Sequence, residues 1–234
     1  MKTGKERSRS LDITEAIKMR KSIRDFKPDP VPKALLREIL EIASRAPSAS
    51  NAQPWEFFVI GGNVLEDVRN ANIEKLNSGT PPNPEYEAFE WPSNSIYRRR
   101  QVEIAKQLFK LMDISREDKT RRAKWMERGF RYFNAPSVII VTMDRMLPEA
   151  RPSLDIGMVV QNICLAAPAF GLGTCIGNQG VLYPEVLRSH AEIPEDKRIM
   201  TSIAIGHPNW EFPANQVKSV REPIEKITSW CGFE

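Results

Sequence analysis

Three cations and a hydroxyl fall within five residues at Arg20-Lys21-Ser22-Ile23-Arg24. Such a set suits a phosphate. Arginine offers paired, charge-assisted hydrogen bonds, and serine adds a small donor that does not block approach. If the segment runs extended, residues 20, 22 and 24 share one face. The ordinary alternative is a basic helix end that only complements the helix dipole.

A second group is Ala46-Pro47-Ser48-Ala49-Ser50-Asn51-Ala52-Gln53-Pro54-Trp55, a polar loop of small residues. Asn51 and Gln53 each carry a donor and an acceptor, which suits the edge of a heterocycle. The same residue types also make plain turns. Gly171-Leu172-Gly173-Thr174-Cys175-Ile176-Gly177 is glycine-rich but is not a dinucleotide fingerprint. It follows a helical pattern rather than a strand, and its third glycine comes one position late. Its glycines are expected to let backbone lie against a flat ligand. Near the end, Lys218 and Arg221 could close a phosphate site or be ordinary surface charges.

Composition narrows the remaining chemistry. The only histidines are His190 and His207, neither in a metal-binding or triad pattern, so no metal site is expected. The three cysteines, Cys164, Cys175 and Cys231, are widely spaced and form no C-x-x-C, which fits reduced thiols in the cytoplasm. Met1 to Ser10 is basic and reads as a frayed tail, not a signal peptide. No run is expected to cross a membrane. Between Arg98 and Arg131 twelve basic residues face five acidic ones. No aromatic platform is interleaved with them, so a solvated helical surface is expected rather than a nucleic-acid interface.

The elements that must position these groups follow from periodicity. Asp12 with Glu15 resembles a capping box that opens a short helix ending near Lys21. Pro32 fits a first helical position, followed by the stripe Leu35, Leu36, Ile39, Leu40 and Ala43. Glu56 to Ile60, Ser137 to Met143 and Met200 to Gly206 read as strands. Val64 to Leu76, Tyr97 to Met112 and Glu117 to Tyr132 read as helices, and the proline-rich stretch Asn77 to Pro92 as a surface loop. Ser153 to Phe170 is apolar nearly all round, as expected of a helix buried on most sides or in a dimer core. The expected fold is α+β, one domain over 1–234, with an inserted lid region at 77–131 and a C-terminal arm at 208–234.

Taken in order, the motifs resemble the FMN-dependent nitroreductase superfamily. Arg20 to Arg24 matches its R-x-S-x-R/K signature, and Ser48 to Trp55 is similar to its S-x-x-N-x-Q-P-W loop. Phe133 to Val141 resembles its F-x-x-A-P-x-x-I-x-V strand entry, Gly171 to Gly177 its G-L-G-T-C segment, and Arg221 to Ile224 its terminal R-x-P-L/I. The similarity spans about residues 12–230. The resemblance implies a central, mostly antiparallel sheet flanked by helices, in an intertwined homodimer that binds FMN at its interface. It assigns the phosphate to Arg20, Ser22 and Arg221, assisted by Lys21, and the pyrimidine edge to Arg24. Ser48, Asn51 and Gln53 would reach the ribityl chain or ring from the neighbouring chain, and Ile176, Gly177 and Asn178 would cover the N5 region.

The implied reaction is a ping-pong hydride relay from NADH or NADPH to a small organic acceptor, most simply a nitroaromatic. The cofactor carries the chemistry, so no catalytic side chain is named. Trp91, Tyr97 and Trp125, with Phe130, could stack on the acceptor, and the arginines of the insertion could pair with an acidic one. Rival readings are reductive dehalogenation, ene reduction, a non-catalytic flavin-binding protein, or a nucleic-acid binder. Flavin bleaching by NAD(P)H with acceptor turnover separates the enzyme from the last two.

Overall fold

The computed structural model describes residues 12–86 and 90–233; the tail Met1 to Ser10 lies outside the described residues. The first helix, α1 (Ile13–Met19), begins as expected, with Asp12 Oδ1 accepting from the N–H groups of Thr14 and Glu15 at 2.8 and 3.3 Å. Arg20 ends it, and the chain continues extended, so that Ser22 bridges in parallel to Thr174. Then α2 (Lys33–Ala43) runs one residue later than expected, with Pro32 as its N-cap rather than its first helical residue.

The sheet holds β1 (Glu56–Gly61), β2 (Ser137–Asp144), β3 (Gly173–Gly177) and β4 (Lys197–Gly206) in the order β1-β2-β4-β3, all neighbours antiparallel. β2 is apolar on both sides, because helices cover both faces of the sheet. Ile139, Val141 and Met143 pack with α2 and α6 (Ala150–Ala166). Val138 and Ile140 face α3 (Gly62–Asn77) and α7 (Pro184–Ala191).

The stretch expected to be an insertion, 77–131, holds α4 (Ile96–Leu111) and α5 (Lys119–Phe130). Their apolar stripe rests on the start of the arm. Leu108, Ala214 and Val217 are buried there, with Ile104, Trp125 and Phe212 around them.

Two expectations change at α6. The α-helix stops at Ala166, and a 3-10 turn, Ala167–Phe170, completes the apolar stretch. Pro168 explains the break, since it brings no N–H to the helical ladder. The combined segment Ala150–Phe170 spans 21 residues and is long and apolar enough to cross a membrane, contrary to the sequence expectation. In the fold it packs on α2 and the sheet, with Asp155 buried within it. Burial is one-sided, however: Leu154 remains 65% exposed, and Arg151, Gly157 and Gln161 share its open side.

Candidate functional site

Alternation along the extended segment sorts its side chains. Ile23 is 2% exposed and enters the core, while Arg20, Lys21, Ser22 and Arg24 stay half-buried. The Ile23 N–H donates to Thr174 O at 2.9 Å, which lays this segment along the β3 edge. Gly173 makes that approach possible. A Cβ there would stand 2.5 Å from Ile23 Cγ1 and 2.8 Å from Pro208 Cγ. The expected close approach is therefore real at this glycine, but it admits protein rather than a ligand. Gly177, four residues on, is not crowded in this way: a Cβ there would make only an ordinary contact, 3.9 Å from Ser202 Oγ.

The charges on this edge are uncompensated. Burial, then the positive charges of Lys218 and Arg24, pull the Lys21 ammonium below its ordinary value. Lys21 also lies over the Trp210 ring, 5.9 Å from its centroid. Among the described residues no carboxylate pairs with Arg20, Lys21, Arg24 or Lys218. The adjacent Asp25 is engaged elsewhere. It pairs with Arg128 and accepts from Asn209 Nδ2 at 2.8 Å. Beneath the cations, burial pushes the Cys175 thiol up to about 11, against the opposing pull of Arg24, Ser22 and Arg20. A thiol so protonated is a poor nucleophile at neutral pH.

At the end of β3, Ile176 is 44% exposed, and Thr201 Oγ1 donates to Asn178 Oδ1 at 3.0 Å. Ser202 Oγ donates to Gly177 O, so the strand end is fixed by β4. The structure thus brings Arg20 to Arg24 and Thr174 to Asn178 together on one edge.

The second loop lies elsewhere. Ser50, Asn51 and Gln53 take positive φ values of 53, 58 and 48°, an uncommon conformation for residues other than glycine. Ser48 Oγ holds it by accepting from Gln53 N at 2.9 Å, and buried Asp155 accepts from Ala49 N at 3.1 Å. The loop feeds β1, at the far side of the sheet from Ser22. Counting the Ser22 segment as a fifth strand beside β3, four strand spacings of ~4.8 Å separate it from β1, roughly 19 Å.

Two further groups part company. Trp91 and Tyr97 meet with ring centroids 4.9 Å apart, in a groove of about 1290 Å³ that Arg98, Arg99, Arg100 and Arg221 also line. Trp125 instead belongs to the α4, α5 and arm cluster, and Phe130 is core. Arg221 bonds to Ser219 and Val220, whereas Lys218 is the arm cation beside Lys21. Sequence reading marks Lys218 only as a companion of Arg221. It has no signal for Arg128 or Asn215, whose contacts are long-range.

Residues 17–207 match the profile described as the Nitroreductase family. The chain is 34% identical over 220 residues to a chloronitrobenzene nitroreductase of Comamonas testosteroni, covering 93% of this chain and 96% of the relative. It is also 34% identical over 221 residues to a nitrobenzene nitroreductase of Ectopseudomonas oleovorans, with the same coverage. Among solved structures, the FMN and NADPH-dependent nitroreductase NfnB of a Sphingopyxis strain superposes with a TM-score of 0.90 at 29% identity, over 95% of this chain and 100% of that one. The α+β architecture expected from the motifs is therefore the one found, and the chain belongs to the nitroreductase family.

Proposed function

We propose that this protein is an FMN-dependent nitroreductase that uses NADH or NADPH to reduce a nitroaromatic acceptor and works as a cytoplasmic homodimer. One observation carries the reading: the unpaired cations Arg20, Lys21, Arg24 and Lys218 around Ser22 on the β3 edge. A cluster of like charges costs stability unless an anion answers it. Asp25 is diverted to Arg128, so a bound phosphate is the natural counter-charge. The donor set fits the phosphate of FMN, and the similarity to nitroarene reductases favours nitro reduction over dehalogenation or ene reduction.

When bound, FMN supplies hydride transfer between the nicotinamide and the acceptor. The chain's own residues bind and orient. Arg20, Lys21, Ser22 and Lys218 hold the phosphate. Arg24 places a cation beside the ring, favouring its reduced, negatively charged form. The fixed strand end Ile176 to Asn178 offers backbone groups to the ring, with no side chain at Gly177 to stand in the way.

Because Ser48, Asn51 and Gln53 lie across the sheet from these cations, a second copy is assigned to bring its loop to each site. The exposed apolar side of α6 and the exposed arm residues Val220, Ile227 and Trp230 supply surface for that contact. The cytoplasmic assignment rests on the three free cysteines, two of them buried.

The test is direct. Purified protein, loaded with FMN and titrated anaerobically with NADH or NADPH, is expected to bleach and to recover its colour on adding nitrobenzene. Protein that takes up no FMN, or whose reduced flavin ignores nitroarenes, overturns the reading.

A further inference from the structure

The Arg24 peptide is gripped from two directions by residues remote in sequence. Its N–H donates to Asn215 Oδ1 at 2.6 Å, across 191 residues. Its carbonyl accepts from Arg128 Nη2 at 3.0 Å. Asn215 is fully buried, and its Nδ2 donates to Asp25 O at 2.9 Å and to Asn209 O at 2.7 Å. Arg128 also pairs with Asp25 and lies over the Phe212 ring, 4.5 Å from its centroid. The lid helix α5 and the arm therefore converge on one residue of the cofactor edge. Neither side chain belongs to the cation cluster itself.

We propose that Asn215 and Arg128 are positioning residues that fix the place of the Arg24 guanidinium and so set the reduction potential of the flavin. This rests on the FMN reading above. A cation's effect on a neighbouring charge falls with distance and with the polarity of what intervenes. A backbone held at both its donor and its acceptor cannot drift, whereas one held only by its neighbours can. Arg128 has a second consequence: by engaging Asp25 it keeps a carboxylate from neutralising Arg24. Loss of either grip should loosen the cation and make the reduced flavin less favoured.

The experiment measures FMN midpoint potential and FMN dissociation constant for Arg128→Gln, Asn215→Ala, Arg24→Ala and the two doubles with Arg24→Ala. Each single variant is expected to move the potential to more negative values. If they act through Arg24, adding Arg128→Gln or Asn215→Ala to Arg24→Ala moves the potential far less than either does alone, because coupled sites fail to add. Additive shifts, or wild-type potentials in folded, FMN-loaded Arg128→Gln protein, overturn the inference while leaving the flavin reading intact. Wild-type protein that binds no FMN overturns both. Should Asn215→Ala not fold, the Arg128 pair of variants decides alone.

Discussion

Lys218 of the C-terminal arm lies close to Lys21 of the N-terminal segment, and its charge is, after burial, the next cause that lowers the Lys21 pKa. Two like charges held together without a carboxylate cost the free protein stability and reward an anionic ligand. Lys218→Met is therefore expected to raise the melting temperature of FMN-free protein slightly, or leave it unchanged. The same substitution should weaken FMN binding about tenfold or more, the scale of one charge-assisted contact. Thermal melts with and without FMN, together with fluorescence titration, check the pair. A fall in both quantities would mark Lys218 as mere packing.

The same cluster gives a pH signature. Lys21 holds its proton less tightly when folded than at the ordinary lysine value of 10.5. Between the lowered value and 10.5 the unfolded chain binds more protons, so this group's contribution to stability rises as pH rises through that window. Buried Cys175, held protonated, works the other way over the same range, so denaturant unfolding at stepped alkaline pH should show wild-type protein losing less stability than Lys21→Met as pH rises. An identical pH dependence in both would show that Lys21 is not strained by its neighbours.

Much of this arrangement can be read before any fold is known, and the exceptions have physical causes. β2 and β4 stand out as β-branched, apolar runs, and Arg20 to Arg24 as a phosphate-like cation set. β3 is hidden because Gly173 and Gly177 look like a loop, whereas Gly173 is a strand position emptied for Ile23. α7 escapes because eight mixed residues give too short a period to recognise. Asn215 is invisible for another reason: a buried carboxamide bonded across 191 residues leaves no local pattern. Trp125 is ambiguous for a third reason: an aromatic at helical spacing reads equally as ligand platform or packing.

Gly173 supplies a test of how closely segment and strand must meet. Gly173→Ala forces a Cβ against Ile23 and Pro208, at 2.5 and 2.8 Å before any relaxation. Overpacking of this kind costs about 1–3 kcal/mol. Urea unfolding should show that loss, and FMN binding should weaken because Ser22 and Arg24 move with Ile23. A substitution that costs nothing would mean the segment lies further from β3 than described.

Acceptor charge is tested at the groove where Trp91 and Tyr97 meet beside Arg98, Arg99 and Arg100. If that groove serves the acceptor, 4-nitrobenzoate should exceed nitrobenzene in kcat/KM. Exposed ion pairs contribute only about 0.2–1 kcal/mol, so the preference should be roughly two- to fivefold and shrink with salt. Arg99→Ala should remove most of it. Equal kinetics for the two nitroarenes would take the arginines out of acceptor choice.

The separation of Ser22 from the Asn51 and Gln53 loop makes a prediction about subunit mixing. In a two-fold dimer with shared sites, each site takes the cations from one chain and the carboxamides from the other. Arg20→Ala dimers and Asn51→Ala/Gln53→Ala dimers should each be nearly inactive, because every site lacks one half. A heterodimer of the two places both defects in one site and leaves the second site whole. Unfolding and refolding an equal mixture makes about half the dimers mixed, each with one working site in two, so activity should recover to roughly a quarter of wild type. Refolding each variant alone should recover nothing. If the mixture also stays inactive while wild-type protein survives the same treatment, one chain builds the whole site and the roughly 19 Å across the sheet must be bridged within it.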